Sequence, residues 1–287
     1  MSGGEQITEK YRNDPRSTED LIHLALMKDA DKDNDDYWHP VWALQSRLPR
    51  ILERVKELGD RPDAKSRDTA ATLLGQNGLK DKVAVSECVD YLLGMISRET
   101  SPVVLTSLTF ALGHLHDPAC ITTLLPLKQH PSADVRYALV HSLSGHDDER
   151  AIKTLIDLSS DEECDVRNWA TFALGSQTEV NTAEIRDALV ARLQEEDDEI
   201  RGEALVGLAT RSDKRVVTPF LRELEIQTPE VLRNWVLIAD TANAVVRTAD
   251  QTGAKEWLAV LERLKSLRIG DASLVEKAIA RCRAGPG

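Results

Sequence analysis

One short phrase recurs along this chain and limits what it can fold into. It is clearest at Cys164–Gly175, which reads C-D-V-R-N-W-A-T-F-A-L-G. It returns as A-D-V-R-Y-A-L-V-H-S-L over Ala133–Leu143 and as D-E-I-R-G-E-A-L-V-G-L over Asp198–Leu208. Arg136, Arg167, Arg201 and Arg233 hold the same place in it and follow one another at a nearly constant interval. Extended backwards, the place falls on Leu105, one such interval before Arg136, and on Arg67, after a somewhat longer step. A near-constant period of this size marks stacked helical units, none of which can bury its apolar face alone. With Val166 as position 0, Val166, Ala170, Ala173 and Leu174 fall at 0, +4, +7 and +8 on one helical face. They are expected to pack on the preceding helix at Ile152, Leu155, Ile156 and Leu158. Gly175 is expected to end the helix in a conformation that other residues resist.

Around the phrase, apolar spacing and breakers mark out paired helices. Residues 1–36 read as a polar mobile arm, a short helix capped by Ser17 and Asp20, and an acidic loop. Residues 37–283 carry the pairs and 284–287 a tail. The expected helices are Val41–Leu58, Asp63–Gly75, Val83–Ser97, Thr100–Gly113, Pro118–Lys128, Ser132–Leu143, Asp148–Leu158 and Cys164–Leu174. Thr182–Gln194, Asp198–Thr210, Lys214–Leu224, Pro229–Arg247, Ala254–Leu267 and Ala272–Arg283 follow. The expected fold is all-α: a right-handed α-solenoid of stacked antiparallel helix pairs, about six to seven repeats with irregular caps.

Ankyrin T-P-L-H-x-A is absent, and the tetratricopeptide pattern does not recur. What recurs is D-x-V-R-x-x-A-x-x-A-L-G after a helix such as R-A-I-K-T-L-I-D-L, Arg150–Leu158. Over about residues 40–248 this resembles the short HEAT repeat of the phycobilisome-lyase-like type. It departs at Arg67, which follows Ser66 rather than Val, at Leu105, and over 254–283, where the phrase is missing. The resemblance implies that Arg67, Arg136, Arg167, Arg201 and Arg233 form a structural ladder, each bonded to an acid or carbonyl of the adjoining repeat. A ligand-binding ladder is the alternative. It also implies that the V-R helix lines the concave side. Candidate protein-binding residues are then Phe110, Tyr137, His141, Asn168, Trp169, Phe172, Glu203, Asn234 and Trp235, the last two counted from Leu232 as position 0. Those at +3 and +6 either line that face or pack between repeats, while Tyr137, Asn168 and Asn234 are expected to be exposed.

Charge and motifs narrow the function classes. The net charge of −12 opposes a polyanion, so nucleic acid is an unfavoured partner and a protein with a basic surface a favoured one. Cys88, Cys120, Cys164 and Cys282 form no C-x-x-C pair and read as core thiols of a cytoplasmic protein, and no run of about 20 apolar residues suggests a membrane span. Asp29–Asp36 alternates carboxylates, but both EF-hand registers lack the required Gly and Glu. The loops His114–Asp117 and Gly145–Glu149 could offer metal ligands, yet Asp117 and Asp148 read more simply as helix caps. No zinc-protease, Walker or dinucleotide motif is present, and no catalytic residue or cofactor is assigned. The expected function is a non-enzymatic scaffold or adaptor. A bilin-lyase-like chromophore handler is one alternative. A HEAT-like DNA-repair glycosylase is another, disfavoured by the charge.

Overall fold

The structure, a computed structural model, describes residues 11, 13–27, 35–48, 50–75, 82–226 and 235–285. Among them every regular element is helical. The acidic loop before Asp35, Arg233 and Asn234 lie outside the described residues. The chain divides into two compact units, Met1–Leu143 and Ser144–Gly287.

The first unit holds α1 (Thr18–Met27), α2 (Asp35–Gln45), α3 (Leu52–Gly59), α4 (Ala64–Leu74), α5 (Lys82–Ile96), α6 (Pro102–Leu115), α7 (Ile121–Leu124) and α8 (Ala133–Leu143). Its phrase helices α4, α6 and α8 lie side by side in that order, with α3 packed on α4 and α5 on α6. Ser17 and Asp20 close a reciprocal cap on α1, the Asp20 amide donating to the Ser17 hydroxyl at 3.1 Å and the Ser17 amide to Asp20 at 3.3 Å. The stretch just before it is tied down rather than free. Arg47 donates to the carbonyls of Asp14 at 3.1 Å and Arg16 at 2.6 Å, and Tyr11 packs its ring on His39 and Trp42.

Two expected helices of this unit are interrupted. Val41–Leu58 breaks after Gln45 and resumes at Leu52. Pro49 sits in that gap and brings no amide hydrogen, so a continuous helix would lose a bond there. Pro118–Lys128 is a 3-10 turn (Pro118–Cys120), one turn of α-helix and a second 3-10 stretch (Leu125–Gln129). Pro126 removes the bond that an α-helix would make to Thr122.

The second unit holds α9 (Glu149–Leu158), α10 (Cys164–Ser176), α11 (Ala183–Arg192), α12 (Asp198–Thr210), α13 (Val217–Ile226), α14 (Trp235–Thr252), α15 (Leu258–Leu267) and α16 (Ala272–Ala284). Here α10, α12, α14 and α16 lie side by side in order, with α9 on α10, α11 on α12 and α15 on α16. Val166, Ala170, Ala173 and Leu174 are buried, as are Ile152, Leu155 and Leu158 opposite them. Asp148, Asp197 and Asp271 each accept two backbone amides at the start of α9, α12 and α16. Cys88, Cys120 and Cys282 are buried; Cys164, expected in the core, is exposed at the start of α10.

The phrase glycine has a different task from the one the sequence suggests. Gly175 lies inside α10 and keeps a negative φ. A methyl group there would sit 2.9 Å from the Glu203 carbonyl oxygen of α12. At Gly75, φ is −83°, and a methyl group would sit 2.3 Å from the Ala111 Cα of α6. These glycines let neighbouring phrase helices touch backbone to backbone; they do not reverse the chain.

Gly75→Ala is therefore expected to destabilise the protein by about 1–3 kcal/mol through overpacking, although alanine is the better helix former. Gly94→Ala is the control, because nothing lies within 4 Å of its missing methyl group. There the helix preference should act alone and stabilise by up to about 1 kcal/mol. Urea midpoints of the two variants should move in opposite directions.

Candidate functional site

The phrase arginines share one geometry. Each stands in the first turn of its helix and turns its guanidinium back over the loop that precedes it. Arg167 Nη1 donates to the carbonyls of Asp161 at 2.7 Å and Glu162 at 3.0 Å. Arg201 does so to Glu195 at 2.8 Å and Glu196 at 2.9 Å. Arg136 reaches His130 at 2.8 Å and Pro131 at 3.4 Å, and Arg67 reaches Arg61 at 3.2 Å and Pro62 at 2.5 Å. In three of the four, another nitrogen crosses to the next repeat of the same unit. Arg67 pairs with Glu99 at 2.7 Å, Arg167 with Glu195 at 3.5 Å and Arg201 with Glu223 at 2.8 Å. Burial pushes the Glu99 pKa up, but hydrogen bonds from Arg67 and from the Ser101 and Thr100 amides outweigh it, and the net shift is downward. These arginines are occupied by the protein's own backbone and acids.

Off the packing stripe, the candidate residues separate into two rows. At +6, Phe110, His141, Phe172 and Val206 are all half-buried. At +3, Ser107, Ala138 and Glu203 are buried, and Trp169 is exposed, at 38%. Tyr137 is half-buried at +2, as is Asn168; both were expected to be exposed. The Asn168 Oδ1 atom is buried and has no hydrogen-bond partner.

The rings meet across helices. In the first unit, Tyr137 stands edge-on to His141 at 4.7 Å and to Phe110 at 6.2 Å, and Phe110 lies 5.5 Å from His141. Burial lowers the His141 pKa, with His114 adding to the shift, so the imidazole is neutral near pH 7. In the second unit, Trp169 and Phe172 meet edge-to-face at 5.5 Å.

Glu203 is the outlying member of the set. It is 9% exposed, and its Oε2 atom is buried with no hydrogen-bond partner. Its pKa is raised to about 7, first by burial and then by Glu199 and Asp240; a hydrogen bond with Ser176 acts weakly the other way. The register counted from Leu232 does not hold in α14. It would bury Val236 and Asp240 at +4 and +8, whereas Val236 is 69% exposed and Asp240 is exposed. The buried stripe runs instead through Ile238, Thr241, Ala242, Val245 and Ala249. Trp235 begins this helix.

Arg211 was not foreseen from sequence. It closes the end of α10, donating to the carbonyls of Leu174 at 2.7 Å, Gly175 at 2.9 Å and Thr178 at 2.9 Å. It stands outside the repeating phrase, so periodicity carries no trace of it. Among the described residues no group of three or more His, Cys, Asp or Glu side chains could hold a metal ion. Asp117 and Asp148 instead accept the amides of Ala119 at 2.9 Å and Arg150 at 2.8 Å. No helix among the described residues is long and apolar enough to cross a membrane.

The profile of the HEAT-repeat family matches residues 89–175 and 152–239. The protein YibA of Escherichia coli strain K12 is 32% identical over 152 residues, which are 53% of this chain and 49% of that protein. The chain thus spans about half the length of the curated relatives it matches in sequence. The X-ray structure of Escherichia coli YibA superposes with a TM-score of 0.72 at 24% identity, covering 99% of this chain and 97% of the other. A crystal structure of importin beta gives 0.65 at 17% identity, covering 91% of this chain and 41% of the other. Both likenesses are of fold.

Arg167→Ala is expected to lower stability by about 2–3 kcal/mol, because two carbonyls and an acid lose a charged donor together. Arg150→Ala, which removes an exposed pair with Asp148, should change it by less than about 1 kcal/mol. Chemical denaturation of both variants checks this. Glu203 acts through pH. Its folded pKa lies above the unfolded value, so its neutral form is favoured by folding. The stabilisation is complete below the unfolded value near 4.5 and is lost as pH rises through about 7. Glu203→Gln should therefore match the parent at pH 4.5 and exceed it by about 3 kcal/mol at pH 8, read as a melting-temperature difference that opens with pH.

Proposed function

The chain belongs to the HEAT-repeat family, and on that premise we propose that it is a non-enzymatic protein-binding scaffold. The helices that carry the V-R phrase supply the binding face, the side that is concave in that family. The observation that supports this most is the half-exposed row of aromatic residues on those helices. Phe110, Tyr137 and His141 cluster in one unit and Trp169 and Phe172 in the other, ring against ring. Aromatic side chains held rigid and half-open are the usual centres of protein recognition, because they bury much area at little entropic cost. The arginines are a poorer recognition device, since their donors already serve the stack. The net charge of −12 favours a partner with a basic surface.

The test is affinity purification from the native lysate, with quantitation of each captured protein against the parent. Tyr137→Ala and Trp169→Ala should each reduce capture of a specific partner by tenfold or more while leaving the melting temperature within a few degrees. Arg150→Ala should leave capture unchanged. A captured set identical for parent and both aromatic variants would remove the basis of this reading.

A further inference from the structure

Resting on that reading, we propose that the face of the second unit formed by α10, α12 and α14 receives an arginine or lysine side chain from a basic segment of its partner. Glu203 is the carboxylate that meets it.

Three neighbouring helices each carry a short pair of residues at helical spacing. Trp169 and Phe172 stand three apart on α10, Glu199 and Glu203 four apart on α12, and Val236 and Asp240 four apart on α14. Trp169, Glu199, Val236 and Asp240 are exposed. Glu203 is nine-tenths buried between α10 and α14, with one carboxylate oxygen lacking a hydrogen-bond partner. Such a group is costly to keep unless something satisfies it. Among the described residues, the charges that raise its pKa are Glu199 on its own helix and Asp240 on α14. From α10 the Ser176 hydroxyl hydrogen-bonds to it.

A buried acid whose charged neighbours among the described residues are two more acids, with an exposed indole on the adjoining helix, matches a long cationic side chain. Its stem would lie on Trp169 and Val236 and its head would meet the acids. A neutral Glu203 in the free protein must lose its proton to solvent when the cation arrives. Binding then strengthens as pH rises through 7.

The probe is fluorescein-labelled octa-arginine, read by fluorescence anisotropy in 0.15 M NaCl at pH 6 and pH 8. The parent should bind about tenfold more tightly at pH 8, the gain set by the fraction of Glu203 already ionised. Glu203→Gln should weaken binding at pH 8 and bring the two pH values within about twofold. Asp240→Asn, at an exposed position, should weaken binding while keeping the protein folded. Glu57→Gln, at an exposed acid of α3 in the other unit, should change neither property. Glu203→Gln binding like the parent at both pH values would overturn the proposal. So would tighter binding on Arg233→Ala, which would show that the chain's own arginine fills the site. If Glu203→Gln is neutral while Trp169→Ala still loses its captured partner, only this inference falls. If the aromatic variants capture normally, the scaffold reading falls by itself.

Discussion

The turn between the two helices of a repeat leaves backbone carbonyls that no helix can satisfy, and buried carbonyls must find donors. In this chain an arginine from the first turn of the following helix takes two of them. Its planar fork allows one nitrogen to serve both carbonyls while the others reach across to the next repeat. Glu195 shows how closely these contacts are joined. Its carbonyl accepts from Arg201 of its own repeat, and its carboxylate pairs with Arg167 of the repeat before. One residue thus fixes both the shape of a turn and the distance to the neighbouring helix pair. The close contacts at Gly75 and Gly175 depend on that distance, because a glycine can admit a backbone only where the neighbour is already held near.

Much of this was legible in the chain itself. The arginine period gave the stack, and the 0, +4, +7, +8 stripe gave its core, because both are set by local helix geometry. Two of the three ion pairs share a spacing that appears only once the geometry is known; Glu223, the partner of Arg201, does not follow it. Glu99 and Glu195 both lie six residues before the next arginine place, at Leu105 and Arg201. Where that place is Leu105, a buried leucine with no charge to pair, the residue six before the following arginine is His130 rather than an acid. The chain loses donor and acceptor together.

Other features were hidden for physical reasons. The part played by Gly175 depends on Glu203, which lies a whole repeat further along the chain, and single-helix rules favour the commoner use of glycine as a terminator. Arg211 bonds to carbonyls of the preceding repeat from a position outside the phrase. The +3 row could not be assigned in advance because its burial differs from copy to copy, and Glu203 is buried despite its size and charge. Ser107 and Ala138 are buried, whereas Trp169 is exposed. In α14 the periodic phrase itself misled, since the buried stripe follows the helix's contacts and not the spacing from Leu232.

Glu203 is where stacking and recognition compete. The +3 position of α12 is a packing position, and a small or apolar residue there would be the stable choice, as Ser107 and Ala138 are in the other unit. Above pH 7 an ionised acid in that place opposes folding. Local violations of the packing pattern tend to mark places where function, not stability, decides the residue. The arginine device makes such a violation tolerable. Arg201, two residues before Glu203 on the same helix, is held by two carbonyls and Glu223, so α12 stays in register even when a member of its packing face is charged. The same repeat therefore carries both a firm tie in its stack and the acid least suited to it. A basic partner would relieve that conflict by bringing the opposite charge to a carboxylate whose charged neighbours among the described residues are Glu199 and Asp240.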